Sequence, residues 1–327
     1  MIYRALGTFQ VSPLALGCMG MSFGYAQIHE KDKMVKLIHK AFELGMNFFD
    51  TAEGYGAYNE ELLGEAIKPF KDQVIIASKF GIYQEKEGSW DLRLDSSPKR
   101  IKQALEGSLK RLGVECLDLY YQHRVDPKVP IEEVASTMQE LIKEGKIKAW
   151  GMSEAGLPSL QKAHRICHLS ALQSEYSLWH RAPEKEILGF CEAHHITFVG
   201  FSPLAKGFFG GKMAKNATFA KEDFRSVVPK FSPENLAQNY ALVELLQDTA
   251  KSKNATPAQI AISWILHMQK AVIPLFGTTK EERLVENIGA LSVPWQAGEL
   301  EDFNKKLEQI TIVGERYPTN LNDKVGK

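Results

Sequence analysis

The sequence predicts a closed parallel (β/α)8 barrel of the TIM type. Three observations carry that prediction. Short apolar runs alternate with helix-periodic segments eight times over about 280 residues, the repeat count and length of such a barrel. Each run is continuously apolar rather than alternating, as suits parallel strands covered on both faces. The turn after the first run, Gly17-Cys18-Met19-Gly20, lacks the glycine fingerprint that a doubly wound open sheet would carry there.

In order, residues 3–11 bend at Gly7 and predict an N-terminal β-hairpin ahead of the barrel. Residues 14–19 are the first buried strand. Residues 31–44 follow with apolar positions Met34, Leu37, Ile38, Ala41 and Phe42 at helical spacing, stopped by Gly45. The next strands are 47–50, 74–79, 116–122, 146–152, 171–175 and 196–202, followed in turn by helices at 59–67, 97–112, 131–145, 158–168 and 183–194. Ser97-Pro98 supplies an N-cap and a first-turn proline, and a long polar loop precedes it, reaching Ser96. After the seventh strand comes the longest irregular stretch, 203–233, and then two helices, 234–252 and 257–268. The first of these is an extra helix before helix 7. The last strand, 271–275, and helix 281–291 complete the barrel. A polar tail, 291–327, holds one more helix near 298–310, an extra after helix 8. No Pro/Gly/Ser-rich linker divides the chain, so residues 1–327 read as a single domain.

Composition narrows the function. Hydrophobic residues are 44% and charged ones 24%, ordinary for a globular chain, and 40 basic residues balance 40 acidic ones. A net charge of zero disfavours nucleic acid as a partner. Cys18, Cys116, Cys167 and Cys191 are widely spaced and predict reduced, buried thiols in a cytoplasmic protein. The first residues lack the basic and apolar blocks of a signal peptide, and no apolar run reaches membrane-spanning length, so no membrane partner is expected.

In such a barrel the C-terminal strand ends form the active face. Here they carry Asp50, Lys79, His123, Ser153-Glu154, Gln173, Phe201-Ser202 and Gly277-Thr278. Polar groups at the exits of buried strands are costly unless partnered, so their convergence on one rim predicts a site. The turn after Asp50 adds a phenol, Tyr55, between Gly54 and Gly56. A phenol ionises near 10, and as a proton donor it needs a cation and a carboxylate beside it.

Asp50-x4-Tyr55, Ser78-Lys79, the sequence Leu119-Tyr-Tyr-Gln-His123 and Phe201-Ser-Pro-Leu204 together resemble the aldo-keto reductases. So does Ile273-Pro-Leu-Phe-Gly-Thr-Thr-Lys-x-x-Arg-Leu-x-Glu-Asn287. The resemblance runs from the hairpin to about residue 290 and rests on several motifs in the right order. It implies a bacterial-type, NADPH-dependent aldehyde or ketone reductase with a tetrad of Asp50, Tyr55, Lys79 and His123. Tyr55 would give a proton to the carbonyl oxygen, Lys79 would lower the phenol's pKa, Asp50 would hold the ammonium, and His123 would orient the carbonyl. The resemblance also implies a cofactor site. Ser153 and Gln173 would hold the nicotinamide carboxamide, with Phe201 stacked on the ring. Ser202, Pro203, Leu204 and Lys206 would line the pyrophosphate. Gly277, Thr278, Thr279, Lys280 and Arg283 would meet the 2′-phosphate, with Glu286 and Asn287 at the adenine. Glu154 departs from the family pattern, which has Asn there; an acid cannot donate to a carboxamide oxygen, and Glu154 is left outside the site.

Other readings are weaker. A glycosidase needs two facing carboxyl groups, but the fourth and seventh strand ends carry His123-Arg124 and Phe201-Ser202. A metal hydrolase on this fold needs a His-x-His on an early strand, and 14–19 has no histidine, so no metal is expected. A binding role like that of the aldo-keto-like potassium-channel β subunits, which bind NADPH, remains the alternative. His194-His195, Tyr120-Tyr121 and Trp179-His180 read as structural, and Asp223-Phe-Arg225 as a loop segment able to fold over a cofactor. The resemblance implies that the substrate is set by the loops after strands four and seven, here 124–130 and 203–233, and by the tail, 291–327, whose chemistry does not name it.

Overall fold

A computed structural model describes residues 1–25, 28–84, 92–322 and 325–326. Eight strands close into a parallel barrel: β1 (Ala15–Gly17), β2 (Phe48–Asp50), β3 (Ile75–Phe80), β4 (Leu117–Gln122), β5 (Ile147–Ser153), β6 (Ala171–Glu175), β7 (Thr197–Phe201) and β8 (Val272–Gly277). Each pairs with its sequence neighbour, and β8 returns to β1. The register levels the strand exits. Gly17 faces both Asp50 and Gly277, Lys79 faces Tyr121, Ser153 faces Gln173, and Glu175 faces Phe201. That alignment brings residues 20 to 260 positions apart onto one rim.

Outside the strands lie α1 (Lys31–Glu43), α2 (Ala57–Ile67), α3 (Pro98–Leu112), α4 (Ile131–Lys143), α5 (Leu157–Ile166), α6 (Ile187–Ala193), α7 (Pro233–Lys253), α8 (Pro257–Met268), α9 (Glu281–Ile288) and α10 (Glu299–Glu308). Their apolar stripes face the strands, as in α1, where Met34, Leu37, Ile38 and Ala41 are buried at the predicted spacing. Helix α8 starts with a reciprocal capping box between Thr256 and Gln259. The added helices predicted before helix 7 and after helix 8 are α7 and α10.

Two apolar groups make the core. The larger lies between strands and helices. The smaller fills the barrel with Ala15, Phe48, Ala77, Leu119, Tyr121, Val199 and Ile273. The N-terminal hairpin, Arg4–Leu6 with Phe9–Val11, contributes Leu6 and Val11 to that inner group, and so plugs the end opposite the strand exits. One end of the barrel is thereby closed and apolar, the other open and polar.

Four local expectations change. The loop before Ser96 is not irregular throughout: Ile82–Gln84 and Leu92–Leu94 pair as an antiparallel ribbon, while 85–91 lie outside the described residues. The helix expected over 183–194 breaks into a turn, Ala182–Glu184, and the shorter α6, because Glu184 is held in the turn by Arg181 and Tyr176. Ser97 precedes α3 but its hydroxyl makes no cap bond; its own N–H is taken by Asp95. All four cysteines are free, yet only Cys18, Cys167 and Cys191 are buried; Cys116 is half-exposed.

Gly151 in β5 marks how tightly the barrel interior is filled. A Cβ there would press on the Ala171 carbonyl and come within 2.6 Å of the Tyr121 ring. Gly151→Ala is expected to lower the unfolding free energy by about 1–3 kcal/mol, measured by urea denaturation, since overpacking must displace that ring or the β6 backbone. An unchanged midpoint would show that the wall can yield freely.

Candidate active site

Asp50 ends β2 and its side chain is 2% exposed; Lys79, next to last in β3, has no exposure at all. The Lys79 ammonium is ion-paired with Asp50, donates to the Thr51 carbonyl at 2.8 Å, and reaches the Tyr55 hydroxyl at 3.3 Å. A lysine buried this completely needs such a set of oxygens. Tyr55 closes a short 3-10 turn, Glu53–Tyr55, fixed by its N–H on the Ala52 carbonyl. The next residue, Gly56, has φ +92°, which only glycine adopts without strain, and it lets the chain enter α2 at once. His123 follows β4, its N–H on the Phe80 carbonyl, with its ring edge-on to Tyr55 at 5.6 Å between centroids. Phe23 stacks on the phenol from the first loop, 5.9 Å between centroids.

Supporting bonds fix this group. Gln173 on β6 donates to the second Asp50 oxygen at 2.8 Å, reaching across the mouth between strands far apart in sequence. Asn59 is fully buried, accepts from Thr51, and donates to the Cys18 carbonyl and the Ser22 hydroxyl, tying the first loop to the exit of β2. Glu60 accepts from Ser78 at 2.5 Å and pairs with Arg111, holding β3 against α2 and α3. Arg124, beside His123, donates to the Ser153 hydroxyl at 3.1 Å.

The environment sets protonation. Burial depresses the Lys79 ammonium, but Asp50 and Tyr55 more than offset this, and it stays charged with its pKa raised. Burial lifts the Asp50 carboxyl above the ordinary aspartate range, with Lys79 and Gln173 pulling it back. At Tyr55 the ammonium of Lys79 pulls the pKa down as expected, but burial acts the other way. Burial of the phenolate outweighs the pull of Lys79, Asp50 adds to it, and the phenol lies above its ordinary value. His123 is held well below the usual imidazole range by burial and by Arg124 and Lys79, so it is neutral at pH 7. The cluster thus offers a protonated phenol and a neutral imidazole beside a buried cation.

Ser153, Gln173 and Phe201 sit on adjoining strand exits, as their register requires. Beyond Phe201 the backbone is unusual: Ser202, Ala205 and Lys206 have φ of 54°, 50° and 54°, followed by Gly207 at 93°. Non-glycine residues in the left-handed region cost energy and persist where surroundings impose them. Successive turns of this kind can point N–H groups into an anion-binding hollow. Pro203 is buried and Leu204 half-buried beneath it. On β8 and α9, Gly277, Lys280 and Arg283 are exposed, Thr278, Thr279 and Glu286 half-exposed, and Asn287 is buried. Among the described residues neither Lys280 nor Arg283 has an ion-pair partner, so two cations stand unpaired at a helix N-terminus. A dinucleotide fits this rim: strained backbone beside β7, free cations beside β8, and paired polar groups on β5 and β6.

The structure also brings in residues that sequence reasoning did not place at the site. Glu154 has φ 58° and pairs with Arg316 of the tail; Glu175 at the end of β6 pairs with Arg316 and Lys206. Arg124 and Phe23 were also missed. Glu154 and Glu175 had a signal, acids at strand exits, whereas Arg316 lies in a polar tail with no periodicity. Asp223 and Arg225 are ion-paired, and the Phe224 N–H bonds the Gly24 carbonyl at 3.0 Å, so the long loop does reach across to the first loop. Tyr120 and Tyr121 are buried, and Trp179 packs on Phe208, Phe209 and Phe231.

Residues 13–308 match the model of the aldo/keto reductase family. The chain belongs to that family. It is 40% identical over 321 residues to the Glycine max protein described as "Probable aldo-keto reductase 1", covering 97% of this chain and 92% of that one. Among solved structures it resembles the glycerol dehydrogenase of Gluconobacter oxydans, with TM-score 0.87 and 30% identity over 96% of this chain and 97% of the other. The holo form of an aldo-keto reductase from Bacillus halodurans gives TM-score 0.77 and 25% identity over 96% and 98%. This aldo-keto reductase is therefore an oxidoreductase of a family that reduces carbonyl groups with a nicotinamide cofactor and acts on small carbonyl compounds. Among the described residues no helix is long and apolar enough to cross a membrane.

The buried ion pair has a measurable consequence. Asp50→Asn removes the countercharge of an ammonium with no exposure and is expected to cost about 3–5 kcal/mol of stability. Urea unfolding checks this; a loss below about 1 kcal/mol would mean that Thr51 and Tyr55 alone hold the cation.

Proposed function

We propose that the protein is an NADPH-dependent aldehyde or ketone reductase of the cytoplasm in which Tyr55 is the proton donor. The observation that carries this reading is one buried ammonium, Lys79, shared between the Asp50 carboxylate and the Tyr55 hydroxyl with His123 edge-on beside it. When bound, the cofactor supplies a hydride to the carbonyl carbon. Charge then grows on the carbonyl oxygen, and the site's groups answer it there. Tyr55, kept protonated by burial, delivers its proton to that oxygen. Lys79 steadies the phenolate left behind, and Asp50 keeps the ammonium in place. Neutral His123 donates a hydrogen bond that fixes the direction of the carbonyl. Its Nδ1 has no partner among the described residues. Ser153, Gln173 and Phe201 would hold the nicotinamide end. Ser202, Pro203, Leu204 and Lys206 would hold the pyrophosphate, and Gly277, Thr278, Thr279, Lys280, Arg283, Glu286 and Asn287 the adenosine end.

Tyr55→Phe is expected to lower carbonyl reduction about 10²–10⁴-fold while the Kd for NADPH stays close to wild type. A variant keeping half the wild-type rate would put the acid elsewhere, and a wild type that binds NADPH without turning over a panel of aldehydes, ketones and sugars would favour a purely binding role.

The pH dependence follows from the raised phenol. Reduction requires the protonated form, so its rate should hold through neutral pH and fall only above the ordinary phenol value near 10, while alcohol oxidation rises over the same range. Pre-steady-state rates in both directions test this; a fall in reduction between pH 7 and 8 would assign the acid to another group.

Arg283, exposed and without an ion-pair partner among the described residues, three residues past Lys280, is expected to read the 2′-phosphate because its planar fork can bind two oxygens. Arg283→Ala should raise the Kd for NADPH about tenfold or more and leave NADH little changed, the loss expected of one charge-assisted contact. Equal losses for both cofactors would show the arginine supporting the fold instead.

A further inference from the structure

Beside the tetrad, and not used by it, lies a second buried charge cluster in which the tail returns to the barrel mouth. Glu154 and Glu175 leave β5 and β6 with side chains 1% exposed. Arg316 enters between them, 12% exposed, its Nε 2.6 Å from one Glu175 oxygen and a terminal nitrogen 2.5 Å from Glu154. The other Glu175 oxygen holds Lys206 Nζ at the longer distance of 3.3 Å. Glu154 also accepts from the Ser174 hydroxyl and the Glu175 N–H. The Arg316 guanidinium stands 5.8 Å from the Phe201 ring centroid, and Tyr317 lies against both Arg316 and Lys206. The tail is anchored just before this point. Asn239 on α7 makes a two-way pair with the Val313 backbone, at 3.0 and 2.9 Å. Gly314, at φ +87°, then passes so close to the Lys230 backbone that a Cβ would lie 3.0 Å from it.

Two carboxylates with no exposure need two positive charges to offset them, and Arg316 meets both at once. Lys206 is in contact with only one of them, at the weaker distance. We propose that Arg316 is a positioning residue for the cofactor: it keeps Glu154 and Glu175 neutralised so that Lys206 is free to exchange Glu175 for a cofactor phosphate oxygen. This rests on the reading of Lys206 as a phosphate-facing residue. With Arg316 absent, Lys206 is the one cation left in contact with Glu175 among the described residues, Arg124 being the charge left acting on Glu154, and an incoming phosphate has to compete with a Glu175 that no longer shares its charge. Burial alone would push the Glu175 carboxyl up, yet Lys206 and then Arg316 hold it well below the ordinary glutamate range, in keeping with a carboxylate that stays charged and competes.

The test is NADPH binding by titration of intrinsic fluorescence, with thermal unfolding run on each variant. Arg316→Gln is expected to raise the Kd for NADPH about tenfold, with kcat at saturating cofactor within about twofold of wild type. Arg316→Lys should stay within about threefold of wild type, and the pair Arg316→Gln/Glu175→Gln should regain most of the lost affinity. That rescue is the discriminating result, because removing a carboxylate cannot repair a tail that has merely lost its anchor. A double variant as weak as Arg316→Gln overturns the proposal, as does Arg316→Gln binding like wild type. If Arg316→Gln does not fold, Glu175→Gln alone decides: tighter NADPH binding supports the competition, unchanged or weaker binding overturns it. Wild-type protein that binds neither NADPH nor NADH would overturn the cofactor reading itself and this inference with it, whereas wild-type binding with no response to these changes overturns the inference alone.

Discussion

An ammonium with no solvent exposure, held between a carboxylate, a carbonyl and a phenol, is the constraint around which the open end of this barrel is built. Taking a lysine and an aspartate out of water costs several kcal/mol per ion unless geometry and further bonds repay it. Nearly every polar feature nearby does part of that work. Gln173 covers the second Asp50 oxygen, Thr51 offers its carbonyl, and Asn59 and Glu60 fix the segments on which these groups ride. Burial this complete is costly for stability, and it serves chemistry, since charges act more strongly where water is excluded.

The same burial decides which way the phenol titrates. A lysine beside a tyrosine suggests a lowered pKa, and in water it would give one. In the barrel mouth the phenolate loses its hydration, and that loss exceeds what Lys79 returns. The result is an acid kept in its protonated form at neutral pH, next to an imidazole kept neutral for the same reason. One physical effect, desolvation, pushes an acid up and a base down, and it leaves both the phenol and the imidazole uncharged at neutral pH.

Around the rim the charges fall into two groups with different partners. Asp50 and Lys79 belong to β2 and β3 and are settled by Thr51 and Tyr55 close by in the chain, with Gln173 of β6 on the second Asp50 oxygen. Glu154 follows β5 and Glu175 ends β6, and their shared partner comes from the tail, with Lys206 of the long loop after β7 on Glu175. The strained turns at Ser202, Ala205 and Lys206 are pinned in this second region, where Tyr317 packs on Lys206 and the Arg225 guanidinium reaches the Lys206 carbonyl at 3.4 Å. The conformation of the loop at Lys206 therefore depends in part on the tail, 111 positions further along the chain.

Sequence alone determined the barrel, because continuous apolar strands and 3.6-periodic helices are local patterns, and eight repeats leave few ways to bury them. It also determined the candidate tetrad, since Asp50, Lys79 and His123 sit at strand exits, which the parallel register brings level whatever the loops do. Two elements were not legible because they carry no apolar periodicity of their own. The ribbon Ile82–Gln84 with Leu92–Leu94 hides in a polar loop, and the break before α6 depends on Arg181 and Tyr176 gripping Glu184. The pull of Lys79 on Tyr55 was legible but the larger, opposing effect of burial was not, because burial is a property of the assembled mouth and not of neighbours in the chain. Glu154 looked only like a departure from a family pattern until Arg316, 162 positions away, supplied its charge. What tertiary structure alone decided, then, is how the buried charges are matched: pairing in a dry interior is set by distance in space, and sequence separation carries no record of it.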